Sequence, residues 1–318
     1  MPDRTPTTPT TTPTAPRTVR LTSLTTLGVG GEAEVWTAET TADLEVATRA
    51  PYRVLGAGSN LLVADAGVPE RVIKLGSAYN DVRTFGAHDA TGGSSGVWLG
   101  AATPLPGLVR RAADVGWSGL EGLLGVPATL GGAVAMNAGT RFGEMSDALR
   151  EVEVFVNGGL ERLDADALGL GYRRSVLPPG AVLTRARLVL TPSTPERVRA
   201  LLAQVDAARA GQPKNKSAGC AFKNPPGRSA GRLIDAAGLK GLRVGRALVS
   251  PEHANFIVNL GGATAADVVT LLEQIQGRVA RSGAGVPLAT EWELWGFEPE
   301  TTAALQATLQ EVPCALPC

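Results

Sequence analysis

The stretch SAGCAFKNPPG, residues 217–227, carries Cys220, and the next cysteine along the chain is Cys314. A lone thiol of this kind is either a small buried hydrophobe or a group that donates a proton or attacks a substrate. Cys314 and Cys318 complete the set, which gives neither a disulfide framework nor metal-ligand spacing. Only His88 and His253 offer imidazoles, so a histidine-rich metal site is excluded. Charge around Cys220 is skewed. The chain has 25 arginines against five lysines, yet Lys214, Lys216, Lys223 and Lys240 all fall near that cysteine. They read either as a solvated loop or as mobile point charges beside an anionic ligand.

Two glycine-rich segments suggest what that ligand accompanies. YRVLGAGSNLLVADAGVPERVIKL begins as a strand and enters Gly56-Ala57-Gly58-Ser59-Asn60. Glycines there let backbone approach a ligand and present successive N–H groups, a nest suited to pyrophosphate. A Rossmann loop would need a helix directly afterwards and a third glycine in register, and neither is present. The pattern is β-loop-β, which an ordinary hairpin also fits. The second segment, GLLGVPATLGGAVAMNAGTRFGEMSD, has six glycines and almost no charge before Arg141. So few large side chains make a poor independent core. Backbone wrapped around a large flat ligand, with Thr129 and Asn137 as polar contacts, explains it better.

The elements that must position these loops are legible from periodicity. YRVLG, RVIKL, GVWLGA, VEVFV and VLTRARLVL read as strands, and 289–297 as a final one. Residues 105–116 have helical spacing and stop at a glycine. Helical spacing after TPSTP places Val198, Leu201, Leu202 and Val205 on one face, and Thr264 caps a second long helix. The first 17 residues, mostly Thr and Pro, predict a disordered tail rather than a signal peptide. Zero net charge argues against nucleic-acid or membrane-surface partners, and no apolar run approaches a membrane span. The expected compartment is a reducing cytoplasm.

In order along the chain, LGAGSNLLV and GVPATLGGAVAMNAG resemble the FAD-binding domain of vanillyl-alcohol-oxidase (PCMH) type flavoenzymes. YRRS (172–175), SAGCAFKNP, 230–259 and LATEWELWG (288–296) are similar to the UDP-N-acetylenolpyruvoylglucosamine reductase (MurB) family, in what looks like its shorter form. The resemblance implies an α+β fold: an FAD domain of two subdomains over 18–190, a substrate domain over 196–297, and an extension over 298–318. It implies FAD as cofactor and NADPH as reductant. The expected reaction reduces UDP-N-acetylglucosamine-enolpyruvate to UDP-N-acetylmuramate in peptidoglycan precursor synthesis, with the enzyme a monomer.

The resemblance also assigns roles. Arg173, taken to lie on a strand with Arg174 on the opposite face, would hold the substrate carboxylate. Glu291, sharing a strand face with Glu293, would act as a neutral acid or polariser. Cys220 stands where many relatives carry a proton-donating serine, with Lys223 nearby pushing it toward thiolate. Gly56, Ala57, Gly58, Ser59, Asn60, Leu61, Gly125, Thr129, Gly131, Gly132 and Asn137 would bind FAD. Tyr172, Lys214, Lys216, Asn224 and His253 would touch the substrate. Two rivals are a flavin oxidase acting on a sugar or alcohol, and a non-catalytic nucleotide-sugar binder. The second need not keep Arg173, Cys220 and Glu291 together.

Overall fold

The computed structural model describes residues 15–81, 95–213, 215–282 and 285–306. Lys214, His88, Cys314, Cys318 and most of the Thr/Pro tail lie outside the described residues. Among the described residues, sheets of four, five and three strands, two strand pairs and two larger cores organise the fold. The first sheet runs in the order Arg17–Arg20, Glu32–Ala38, Arg71–Leu75, Tyr52–Val54, with its last three strands parallel. The second is antiparallel: Gly159–Asp164, Leu149–Val156, Val182–Pro192, Ser95–Gly100. Asn157 and Gly158, both at positive φ, make the two-residue turn between its first two strands. Helix Leu105–Asp114 buries Leu105, Leu108, Val109 and Ala112 in the core beneath this sheet.

The C-terminal core forms around helix Ala265–Arg281. Val268, Leu271, Leu272, Ile275 and Val279 recur at helical spacing and are fully buried. Its start is well satisfied. Thr264 and Asp267 form a capping box, as Thr264 alone predicted, and Asp65 accepts from the N–H groups of Ala265 and Ala266. Asp65 belongs to the N-terminal half. So do Leu27, Val29 and Leu62, which pack in the same core as Phe222 and Trp292. A parallel pair, Leu61–Val63 with Glu293–Trp295, completes the seam between the halves.

Several expectations need correction. The final strand spans only Glu293–Trp295, because Thr290 first pairs with Phe222 and the chain then changes partner to Leu61. Glu291 and Glu293 therefore do not share one strand face. YRRS is not a strand. Residues 171–174 form a tight turn, closed by Gly171 N–H to Arg174 O at 3.0 Å and Arg174 N–H to Gly171 O at 3.1 Å. In helix Pro195–Ala208, Val198 and Val205 are buried with Leu202 packed beside the core, while Leu201 is exposed. Spacing of 4 and 3 keeps 198, 202 and 205 on one stripe, and 201 falls off its edge.

Residues 298–306 pack as part of the C-terminal core. Helix Pro299–Gln306 buries Leu305 completely, and its carbonyl accepts from Thr290 N–H and from Gln276 Nε2. Leu305→Ala should cost about 2–5 kcal/mol in urea unfolding. A loss under about 0.5 kcal/mol, the range of surface substitutions, would contradict this packing.

Candidate active site

Arg173 sits at the tip of the Gly171–Arg174 turn with φ of 54°, a left-handed conformation rare for a residue of its size. Its Nε donates to Glu291 Oε1 at 2.7 Å and its Nη2 to Gly139 O at 2.8 Å. The guanidinium carbon lies 5.2 Å from the centre of the Tyr172 ring. Both members of the ion pair are mostly buried, with side-chain exposures of 20% and 12%. Nη1 has no partner among the described residues. A planar guanidinium held on two edges in this way keeps a fork for one more carboxylate.

Cys220 is placed beside this pair by backbone pairing around Asn255. Asn255 O accepts from Ala221 N–H, its Oδ1 from Phe222 N–H, and its Nδ2 donates to Phe222 O. Ala221 O in turn accepts from Glu291 N–H and from Thr290 Oγ1, both at 2.8 Å. Cys220 itself bridges Phe256. Gly219, at φ of 75°, precedes it with open space where a Cβ would stand.

The electrostatics follow from this closeness. Burial, then the Glu291 carboxylate, pushes the Cys220 thiol up to about 12, against the opposing charges of Arg173 and Arg209. The thiol is therefore protonated at neutral pH. Burial also raises the Glu291 carboxyl above its usual range, opposed by Arg173 and Lys223. Lys223 thus acts on Glu291, and the expected push of Lys223 on the thiol falls instead to Arg173 and Arg209. Sequence reasoning missed Arg209, one arginine among 25 in no motif. It lies beside the second glycine loop, donating from Nη2 to Gly125 O at 3.2 Å.

The glycine loops meet next to this cluster. A Cβ on Gly56 would lie 2.8 Å from Thr129 Oγ1, so the two loops touch there. Gly58, at φ of 64°, passes so close to Leu24 O that a Cβ would stand 2.1 Å from it. Thr129 caps helix Leu130–Ala135, its hydroxyl accepting from Gly132 N–H, and Gly131 N–H bonds Ala101 O. Gly125 is also left-handed, and Leu61 is buried in its strand. Asn60 ties the region together: its Nδ2 lies 3.5 Å from Met136 Sδ and 3.3 Å from Glu291 O.

Among the described residues, the N–H groups of Gly56 through Asn60 meet no acceptor within the chain, although the loop is buried or half-buried. Buried donors require acceptors, and a diphosphate supplies them. The residues present fit an FAD pyrophosphate. Asn137 does not fit the cofactor contact expected of it. It is fully buried, its Nδ2 bonds Glu144 and Gly171 O, and its Oδ1 accepts from Ser146 N–H. Its amide is spent within the protein.

The remaining substrate candidates divide. The Tyr172 hydroxyl accepts from Asn224 N–H at 3.4 Å, which joins the Arg173 turn to the Cys220 segment. Asn224 Oδ1 accepts from Ala230 N–H, leaving its amide hydrogens for a ligand. Lys216 is exposed with its stem along Gly28, and Lys240 is paired with Asp235 at 2.9 Å. His253 is half-buried against Phe256, and burial lowers its pKa, so the ring is neutral at pH 7.

The family model described as UDP-N-acetylenolpyruvoylglucosamine reductase, C-terminal domain, matches residues 212–295, and an FAD binding domain model matches 37–163. The UDP-N-acetylenolpyruvoylglucosamine reductase of Thermus thermophilus is 58% identical over 269 residues, covering 85% of this chain and 95% of the relative. The chain belongs to the UDP-N-acetylenolpyruvoylglucosamine reductase family. The family's protein from Deinococcus radiodurans is 55% identical over 271 residues, covering 85% and 92%. The crystal structure of the MurB protein from Thermus caldophilus superposes with a TM-score of 0.79 at 57% identity, covering 88% and 98%. The α+β architecture is thus that of a reductase of this family, with a PCMH-type FAD-binding domain preceding the family's C-terminal domain.

A thiol titrating at about 12 reacts slowly with alkylating agents, because only the thiolate attacks. With Cys314 and Cys318 replaced by alanine, the iodoacetamide rate at Cys220 should keep climbing through pH 10. A plateau near the ordinary thiol pKa of about 8.5 would contradict the burial argument.

Proposed function

We propose that this chain catalyses reduction of UDP-N-acetylglucosamine-enolpyruvate to UDP-N-acetylmuramate, with FAD as cofactor and NADPH as reductant. The observation that carries the reading is the Arg173–Glu291 pair standing beside a protonated Cys220 thiol. FAD, held by the glycine loops, would supply the hydride chemistry at the substrate's vinyl group, with NADPH as its reductant. Everything else is work for side chains of this chain.

Arg173 grips the enolpyruvyl carboxylate through its free edge, orienting the vinyl group and opposing the negative charge that develops at the alpha carbon. A second carboxylate on the same guanidinium would repel that charge if Glu291 were ionised. Glu291 is already biased toward its neutral form by burial, and an incoming carboxylate strengthens that bias. A neutral Glu291 donates a hydrogen bond instead of opposing the reaction. Cys220 Sγ then gives its proton to the alpha carbon, and solvent restores it. A thiol near 12 is a weak acid, but an enolate carbon is a strong enough base to take the proton.

Lys216, Tyr172, Asn224, His253 and Lys214 are proposed to line the nucleotide-sugar path. Gly56 to Leu61, with Gly125, Thr129, Gly131 and Gly132, are proposed to hold FAD. The purified protein should be yellow and should convert the enolpyruvyl nucleotide sugar to its lactyl product with NADPH. Cys220→Ala should leave flavin bleaching by NADPH intact while slowing its recovery on addition of substrate. Unchanged recovery would remove the acid role. Glu291→Gln should lower kcat by about 10²- to 10³-fold, and Glu293→Gln, an exposed position, should change it little. The reverse ranking would show that the wrong carboxylate has been assigned.

A further inference from the structure

Arg173, Asn137 and Asn157 are the described non-glycine residues with positive φ. Asn157 is explained by its hairpin. The other two are joined to each other. Asn137 Nδ2 donates to Gly171 O at 3.0 Å, and Gly171 opens the turn whose tip is Arg173. The same short stretch holds that turn at two more points: Arg173 Nη2 donates to Gly139 O, and Ser175 Oγ donates to Ala135 O at 2.8 Å. Residues 135–139 therefore clamp 171–175 at its start, its side-chain head and its end.

A left-handed arginine costs about 1–3 kcal/mol and persists only where its surroundings over-determine it. Two of the three clamps survive on groups away from the turn's entry. Beyond the turn's own Arg174 N–H, it is the Asn137 amide that holds the carbonyl closing it. Asn137 is itself immobile: it is fully buried, its Oδ1 receives Ser146 N–H at 2.9 Å, and Glu144 Oε1 accepts its second amide hydrogen at 3.0 Å. Ser146 Oγ in turn bonds the same Glu144 oxygen. A side chain with both amide hydrogens and its carbonyl oxygen engaged is a rigid reference point.

We propose that Asn137 is a positioning residue for Arg173: its buried amide holds Gly171 O, and so fixes the left-handed turn that aims the guanidinium at a substrate carboxylate. The proposal rests on the reading that Arg173 binds that carboxylate. It assigns to the second glycine-rich loop a task besides cofactor binding. That loop presents glycines toward one side and, through a single asparagine, sets the geometry of the catalytic arginine on the other.

Asn137→Gly is the informative change, because glycine keeps the positive φ and deletes only the amide. In the FAD-loaded enzyme, substrate affinity is read from the flavin absorbance change on titration with the enolpyruvyl nucleotide sugar. The Kd should rise about 10- to 100-fold, as expected for a displaced binding group. FAD affinity and the rate of flavin bleaching by NADPH should not change. The deciding measurement is the double variant. In an Arg173→Ala background, Asn137→Gly should weaken substrate binding by less than about twofold, because its effect passes through Arg173.

Equal losses in both backgrounds would overturn the proposal and make Asn137 a general packing residue. If Arg173→Ala weakens binding but Asn137→Gly does not, the positioning role fails while the reading of Arg173 stands. If Arg173→Ala itself leaves affinity unchanged, the functional reading fails first. Should Asn137→Gly not fold, Asn137→Asp keeps the size and the acceptor for Ser146 N–H while turning the donor against Gly171 O. It should show the same loss, and wild-type affinity in that variant would overturn the proposal.

Discussion

A mostly buried ion pair, Arg173 Nε to Glu291 Oε1 at 2.7 Å, joins residues 118 positions apart. Removing one partner of such a pair strands the other charge, at a cost of about 3–5 kcal/mol. The fold therefore has to deliver both side chains together, and much of its architecture serves that delivery. Arg173 arrives on a turn clamped by residues 135–139. Glu291 arrives between two backbone pairings, with Ala221 O on its own N–H and Asn60 O on the N–H of Glu293. Neither element is a long regular strand, and each is held by specific hydrogen bonds.

The seam between the two halves is built the same way. The parallel pair Leu61–Val63 with Glu293–Trp295, the Asp65 cap on helix Ala265–Arg281 and the entry of Leu27, Val29 and Leu62 into the C-terminal core all cross it. Asn60 is the point where this seam, the second glycine loop and Glu291 meet. The backbone that offers free N–H groups for a pyrophosphate thus continues without interruption into the backbone that seats Glu291. A ligand held by the first would have a fixed relation to the Glu291 carboxyl on the second.

Burial decides the protonation states in this cluster. Arg173 and Arg209 both favour a thiolate at Cys220, yet desolvation with the Glu291 charge prevails and the proton stays on sulfur. At Glu291 desolvation likewise outweighs Arg173 and Lys223. Cys220 thus keeps its proton, and the Glu291 carboxyl is raised, beside cations that in water would favour both charged forms.

The glycine loops, the long capped helix, the main strands and the motifs around 173, 220 and 291 were readable in the sequence. The first three depend on local rules, φ permissiveness, side-chain capping or hydrophobic period, whereas the motifs were legible through their resemblance to a known family. The turn at YRRS read as a strand, since apolar alternation cannot report the clamp from Ala135, Asn137 and Gly139 that bends it. Asn137 read as a ligand contact, Arg209 was invisible among 25 arginines, and Lys223 was assigned to the wrong partner. In all three cases the side chain's role is set by what lies opposite it from distant sequence. The amino-acid sequence determined which reactive groups this protein owns and, through the motifs it shares with relatives, which family it joins. Only tertiary structure decided which of them meet, which keep their protons and which are spent on one another, because desolvation and long-range hydrogen bonds exist only once the chain has folded.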